Sequence, residues 1–177
     1  MAVTTITYST PQTITLGLHS TPLASSTTTG VRESTEIDNT TNKYVDCIVQ
    51  GKVTVGTTPT TGKSIKIYVW GADTSLASLT YDQANAAGLD ALTGVDGDRT
   101  LTNTETLQSM LRLGAVISVV ATTSNVTYPF APFSVASLFG AMPKFWGLVV
   151  QHDTVAALNS TSTNHAFAYT GITYTTT

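Results

Sequence analysis

Charged side chains are scarce in this 177-residue chain, where they make up 11% of the residues. An average soluble domain contains about 25%. The 8 basic residues form no cluster, and the formal net charge is −3. Because binding to phosphate groups or to an anionic lipid surface needs concentrated Lys and Arg, the composition predicts no nucleic-acid partner and no membrane partner.

Cysteine occurs once, at Cys47, so no disulfide within the chain is expected. The first residues contain no basic region followed by an apolar run, which argues against a signal peptide. The longest apolar stretch, residues 113–121, is far shorter than the roughly 20 residues of a membrane-spanning helix. These absences favour a protein made in a reducing cytoplasm.

Groups of residues typical of catalysis are lacking as well. The three histidines, His19, His152 and His165, do not have the spacing of metal ligands. Asp153 follows His152, but no serine lies in the sharp turn that a nucleophile needs. The Gly-Lys-Ser at 62–64 ends like a phosphate-binding loop, yet its glycine spacing is one residue too long and a strand pattern follows. We therefore predict no enzyme, no catalytic residues, no cofactor and no catalytic metal.

Calcium is the one ion that the sequence leaves open. Asp90, Asp96 and Asp98 could supply the several carboxylate oxygens that calcium prefers. The alternative is that the Asp-Gly-Asp run at 96–98 is ordinary turn chemistry, since Asp and Gly are common turn residues.

Threonine replaces the missing charge and makes up roughly one residue in five. Its branched side chain suits the pleated surface of a β-sheet. A neutral surface of this kind lacks the charge that keeps free monomers apart. The composition therefore favours a protein that is part of an assembly, and a homo-oligomer is expected. The alternative is a soluble domain from a Thr-rich lineage.

Apolar and polar residues alternate along much of the chain, which predicts strands with one buried face. The clearest example runs from Tyr44 to Val55, continues through a turn at 57–62 and resumes at 65–70, and it predicts a β-hairpin. Gly51 is expected to mark a bulge or a close approach of two backbones. The residues expected in the core are Val45, Cys47, Val49, Val53, Ile65, Ile67 and Val69.

The same pattern predicts the fold class. Further strands are expected at 4–8, 13–18, 31–37, 107–111, 114–121, 145–152 and 166–175. Short helices are expected in long loops, at 81–87 and 134–141. We predict an all-β, antiparallel β-sandwich, jelly-roll-like, in a single domain spanning residues 1–177, with extended Thr-rich termini at about 1–10 and 172–177.

The aromatic residues provide candidate contacts. Trp70 and Trp146 could each be an exposed platform for a sugar or protein, or could pack beneath the long connection at 72–100. The proline-broken segment 128–133 is expected to close one end of the sandwich, with presentation of aromatic anchors to a partner as the alternative. The candidate partner contacts are Ile6, Tyr8, Tyr128, Phe130, Phe133 and Tyr174.

Two parts of the chain resemble proteins of tailed-bacteriophage particles. The first comprises residues 42–47 (Asn-Lys-Tyr-Val-Asp-Cys), a Thr/Pro/Gly turn and residues 63–73 (Lys-Ser-Ile-Lys-Ile-Tyr-Val-Trp-Gly-Ala-Asp). The second comprises residues 143–152 (Pro-Lys-Phe-Trp-Gly-Leu-Val-Val-Gln-His), a polar turn at Asn159 and residues 166–169 (Ala-Phe-Ala-Tyr). These motifs are structural rather than catalytic, and they cover a minority of the chain.

The resemblance implies a structural protein of the virion, assembled in the host cytoplasm. The leading expectation is a capsid decoration or cement protein that binds the lattice of the major capsid protein. A neck, tail or baseplate component that binds other virion proteins is the alternative within the same class. From a different class, the alternative is a carbohydrate-binding module that uses exposed aromatic rings.

The two termini are expected to be contact arms. Both are Thr-rich and nearly uncharged, with Ile6, Tyr8, Ile172 and Tyr174 as apolar anchors. An extended segment of this kind can add a strand to the open sheet edge of a neighbouring subunit. We therefore expect the neighbours, rather than the sandwich, to order the ends of the chain.

Overall fold

A computed structural model describes residues 4–19, 21–26, 30–76, 92–100 and 111–176. The strands in these ranges are β1 (Thr4–Tyr8), β2 (Gln12–Thr13), β3 (Gly30–Glu33), β4 (Ile37–Asp38), β5 (Asp46–Thr54), β6 (Lys63–Ala72), β7 (Gly97–Thr100), β8 (Arg112–Val119), β9 (Thr127–Ser134), β10 (Phe145–His152) and β11 (Ala166–Thr176). One short helix, α1 (Val135–Phe139), and a 3₁₀ turn (Ser162–Asn164) accompany them.

The strands form two antiparallel sheets that pack against each other, which confirms the predicted β-sandwich. The first sheet has the order β1-β11-β5-β9, with β2 also paired to β11. The second sheet has the order β7-β3-β10-β6-β8, with β4 also paired to β10. The core between the sheets includes Trp146, Leu148 and Val150 of β10 and Phe167 and Tyr169 of β11.

The chain repeatedly crosses from one sheet to the other. When β1 and β2 are taken as one broken strand, and β7 as an addition at an edge, the two sheets have the strand order of a jelly roll. In this arrangement β5 belongs to the first sheet and β6 to the second. The predicted β5–β6 hairpin is therefore wrong, because the turn at 57–62 carries the chain across the sandwich.

The predicted core is correct at six of its seven positions. The fully buried residues are Cys47, Val49, Val53, Ile65, Ile67 and Val69. Val45 is the exception, with 41% of its surface exposed. It precedes the first residue of β5, so the alternation that buries Cys47 and Val49 does not extend to it.

Gly51 marks the predicted close approach of two backbones. A Cβ atom at this position would lie 2.3 Å from the carbonyl oxygen of Ala166 and 2.9 Å from the ring of Phe130. The β5–β9 register also shifts between Val49 and Gly51. Gly51 thus lets β11 and the Phe130 ring approach β5 more closely than any side chain would permit.

Several predicted elements have different bounds. The segment 13–18 pairs only through β2, although Ile14, Leu16 and Leu18 are buried, and the segment 31–37 divides into β3 and β4. The strand expected at 107–111 lies outside the described residues except for Leu111, which is buried outside any strand. The helix expected at 81–87 lies outside them altogether.

Helix α1 confirms the second short helix, which was expected at 134–141. The hydroxyl of Ser134 accepts a hydrogen bond from the Ser137 amide at 3.0 Å, and Gly140 ends the helix with φ of 79°. The Ser134 hydroxyl also donates to Asp46 at 2.7 Å, and the Ala136 amide donates to the same carboxylate at 2.9 Å. The cap therefore ties α1 to the start of β5.

Candidate partner-binding site

The two ends of the chain pair with each other. Strand β1 runs antiparallel to the end of β11, with Ile6 opposite Tyr174 and Tyr8 opposite Ile172. Strand β5 pairs with β11 only as far as Ile172. Beyond that residue the first sheet narrows to two strands, and we call residues 4–8 and 172–176 the terminal ribbon.

The apolar side chains of the terminal ribbon share its outward face. Phe167 and Tyr169 of β11 point into the core, so by strand alternation Ile172 and Tyr174 point away from it. Directly paired residues lie on the same face, which adds Ile6 and Tyr8 to the outward set.

The opposite face of the ribbon carries only threonines, at Thr5, Thr7, Thr173 and Thr175. The usual pattern, with apolar residues inward and polar residues outward, is thus reversed in the ribbon. The exposed fractions are 52% for Ile6, 64% for Tyr8 and 59% for Tyr174. Three of the six candidate contacts are therefore together and accessible on one surface.

The other three candidate contacts lie on β9, which is an edge strand paired with β5 rather than the irregular plug expected from its prolines. Phe130 is buried, with its ring centroid 5.9 Å from that of Phe167, so the expectation of a partner contact at Phe130 is wrong. Tyr128 and Phe133 are half-buried. The Tyr128 hydroxyl accepts from the Ala121 amide at 3.2 Å, and the Phe133 ring occupies the space above Gly114.

The edges of the two sheets differ in how they are protected. Strand β9 carries Pro129 and Pro132, which cannot donate to an added strand, and a register irregularity. Strand β7 is four residues long and carries Asp98 and Arg99. Strand β1 has neither proline nor charge, and all five of its residues are exposed. The ribbon edge is therefore the least protected of these three against pairing with another chain.

A cluster of charged residues holds β7 and the loop before it against β3. We call it the charged clasp, and its members are Arg32, Glu33, Asp96, Asp98 and Arg99. Arg32 donates to Asp96 at 3.1 Å and to Asp98 at 3.0 Å, and Arg99 donates to Glu33 at 2.8 Å. This cluster is not among the sites predicted from the sequence, although the adjacent opposite charges of Arg32 and Glu33 within a strand pattern were a signal.

Glu33 is the buried centre of the charged clasp. Its side chain has no solvent exposure, and it accepts hydrogen bonds from the amides of Thr93, at 3.0 Å, and Gly94, at 2.8 Å. Burial raises the pKa of its carboxyl group above the ordinary value, against the opposing effect of these amides and of Arg99. The clasp therefore positions the loop at 93–99 through a charge that water does not reach.

The carboxylates considered for calcium belong to this clasp. Asp96 accepts from the Gly17 amide at 2.9 Å as well as from Arg32, and Asp98 also faces the guanidinium of Arg32. A guanidinium at these oxygens opposes a second cation at the same place. Asp90 lies outside the described residues. In the described part of the chain, no group of three or more His, Cys, Asp and Glu is arranged to hold a metal ion.

His152 and His165 are engaged in structural hydrogen bonds. Both ring nitrogens of His152 have partners, namely the Leu23 carbonyl oxygen at 2.8 Å and the Thr154 hydroxyl at 2.9 Å. Asp153 instead accepts from the Ser64 amide at 2.6 Å, so it does not orient the ring as in a catalytic triad. Burial lowers the pKa of His152 below its ordinary value. These bonds place the His152 ring in the interior rather than in a reactive cleft.

A cleft of about 540 Å³ lies between the end of β6 and α1. Its lining includes Asp73, Phe139, Met142 and Pro143. Asp73 is the single ionisable side chain among the described residues that line it, so no acid–base pair faces this space. At Lys63, where a phosphate-binding loop would begin a helix, strand β6 begins instead.

Both tryptophans are buried. Trp146 lies in the main core, with its ring centroid 5.3 Å from that of Tyr169. Trp70 packs with Leu76, Leu92 and other residues on the outer side of the second sheet, so of its two alternatives the buried one is observed. Neither ring is therefore an exposed platform on which a sugar could stack.

No protein-family model matches the chain, and no curated protein matches it. Among the described residues, no helix is long and apolar enough to cross a membrane.

Proposed function

We propose that the chain is a structural protein of a tailed-bacteriophage particle, which decorates the capsid by binding the lattice of the major capsid protein. The observation that carries this proposal is the outward apolar face of the terminal ribbon, with Ile6, Tyr8 and Tyr174 exposed. Large apolar side chains grouped on an exposed surface are typical of a protein-binding site. The role of the protein is to bind, and no catalysis is part of it.

The fold and the sequence give further support. Jelly rolls are common in viral capsid proteins, although they also occur in lectins and other proteins, so the fold alone does not specify the function. The segments at 42–73 and 143–169 resemble phage particle proteins. The scarcity of charge is also compatible with a subunit that spends its life against neighbours, because such a surface does little to keep free monomers apart.

The proposal is tested with particles of the source phage that lack this protein. A triple variant, Ile6→Thr/Tyr8→Thr/Tyr174→Thr, removes the apolar anchors while keeping residues that favour strands. We expect the wild-type protein to co-sediment with the particles at a defined copy number and the triple variant to lose at least nine-tenths of its occupancy. Full occupancy by the triple variant would contradict the ribbon as the contact.

A matched control changes exposed apolar residues away from the ribbon. Val120 and Val155 are 75% and 62% exposed, and Val120→Thr/Val155→Thr should bind the particles like the wild-type protein. Electron microscopy of the reconstituted particles then locates the protein. Density on the capsid faces supports decoration, whereas density confined to the neck, tail or baseplate would replace this role with the alternative one.

A further inference from the structure

The open edge of β1 presents backbone groups in a regular order. The Ser9 amide donates to the Gly171 carbonyl oxygen at 2.8 Å, so Ser9 and Gly171 form a hydrogen-bonded pair of the antiparallel ladder. Such pairs alternate along a ladder, so Thr7 and Thr5 bond to β11. The N–H and C=O groups of Thr4, Ile6 and Tyr8 consequently point away from β11, towards the open edge.

We infer that β1 pairs antiparallel with β1 of a second copy of this chain, around a two-fold axis at Ile6. In this register Ile6 lies opposite Ile6 of the second copy, and Thr4 lies opposite its Tyr8. The outward groups of the three residues then form about six hydrogen bonds between the copies. The contact is self-complementary, as a two-fold interface requires.

The absence of charge favours a second copy as the partner. No Asp, Glu, Lys or Arg occurs in residues 1–31 or 154–177, so the two ribbons do not repel each other. Pairs of branched and aromatic residues across strands stabilise a sheet, which suits Ile6 opposite itself and Thr4 opposite Tyr8. A ribbon of two strands alone is marginally stable in water. Pairing of β1 with β1 of a second copy joins the two ribbons into four strands, which stabilises both.

The area of the ribbon's outward apolar face also favours a second copy of the chain as the partner. The exposed parts of Ile6, Tyr8 and Tyr174 leave roughly 350 Å² accessible per copy, given the 150–250 Å² that one aromatic side chain can bury. This is below the roughly 600–1,000 Å² that each partner contributes to a standard interface. Two paired ribbons present about 700 Å² on one side, because edge pairing leaves the outward face uncovered. The dimer therefore provides a surface of the size that stable binding needs.

The test of this inference does not depend on the proposed function, since it uses purified protein with no particle present. Amide hydrogen exchange measured by NMR at increasing protein concentration tests it directly. We expect exchange at Thr4, Ile6 and Tyr8 to slow at least tenfold as the dimer forms. Exchange at Thr5 and Thr7, whose amides already bond to β11, should change much less. Exchange at Ile6 that does not vary with concentration up to about 1 mM would overturn the inference.

Sedimentation equilibrium gives a second test. Ile6→Pro removes an outward N–H and leaves the bonds from Thr5 and Thr7 to β11, so we expect it to raise the dimer dissociation constant at least tenfold. Ile6→Thr keeps the N–H and should dimerise more tightly than Ile6→Pro, while Val120→Thr should match the wild-type protein. Equal dimerisation of Ile6→Pro and the wild-type protein would exclude pairing through this edge. The melting curve of each variant shows that it is folded.

Discussion

The terminal ribbon and the charged clasp lie at edges of different sheets, and the two edges differ in charge and in exposed apolar surface. The clasp holds five of the chain's 8 basic and 11 acidic residues in contact with one another. The ribbon holds none, and its large apolar side chains face solvent. One edge carries a cluster of ion pairs within the chain, and the other is uncharged and exposed.

The difference between the two edges indicates the structural role of the few charged residues. Buried Glu33 satisfies two amides of an irregular loop, which no neighbouring strand could satisfy. Charges at a sheet edge also discourage pairing with other chains. Charged residues are concentrated at β3 and β7, where they hold the loop before β7 in place and protect that edge from pairing. Strand β1 has no charged residue, so its edge lacks this protection.

The largest effect is expected from Glu33→Ala at the charged clasp. The change leaves the Nε of Arg99 and the amides of Thr93 and Gly94 without their acceptor, and loss of one partner of a buried ion pair costs about 3–5 kcal/mol. Urea unfolding should report this decrease in the free energy of unfolding. Asp38→Ala, which removes an exposed carboxylate of the same sheet, should leave stability nearly unchanged. Equal stability of both variants would show that the clasp is not structural.

A smaller effect is expected from pH, with Glu33→Gln as the matched variant. Because burial raises the pKa of Glu33 in the folded state, the part of its contribution to stability that depends on protonation is fully present below the unfolded pKa and is lost as pH rises through the folded pKa. Its hydrogen bonds from the Thr93 and Gly94 amides do not depend on this proton. Each unit of pKa shift corresponds to about 1.4 kcal/mol. The wild-type free energy of unfolding, minus that of Glu33→Gln, should therefore decrease from pH 4.5 to pH 7. Urea unfolding across this range measures it, and an increase would show that Arg99 and the two amides outweigh burial and lower the pKa of Glu33.

The smallest effect on stability is expected from deleting residues 1–10. All five residues of β1 are exposed, and the entropy regained by freeing them, about 1–2 kcal/mol per residue, offsets the hydrogen bonds lost. The monomer should lose no more than about 1 kcal/mol in urea unfolding, which lies within the range of an ordinary single substitution. The same deletion should abolish dimerisation and particle binding. A loss comparable to that of Glu33→Ala would mean that the ribbon belongs to the stabilising framework.

Part of the candidate site could be predicted from the sequence. Ile6, Tyr8 and Tyr174 stand out as large apolar residues in uncharged, Thr-rich ends. Their common face could not be predicted, because it depends on the register in which β1 meets β11. Phe130 was misjudged for a related reason, since its burial depends on Phe167 in a distant strand.

The fold, like the candidate site, has features that could be predicted from the sequence and features that could not. The bounds of β1 and β10 agree with the predicted segments, because alternation with a period of two is a local property of the chain. The cap at Ser134 and the glycine that ends α1 are likewise local signals. The sequence by itself therefore determined where most strands lie and which of their residues face the core.

Only the tertiary structure decided which strands are neighbours. The alternation in β5 and β6 is the same whether the two strands pair as a hairpin or lie in opposite sheets, so it does not distinguish these arrangements. Trp70 lies on the polar-alternating face of β6, yet it is buried because Leu76 and Leu92 cover that face. Pairing of the two chain ends, which creates the open ribbon, joins residues more than 160 positions apart. Contacts at this separation depend on the path of the whole chain, and no local pattern encodes them.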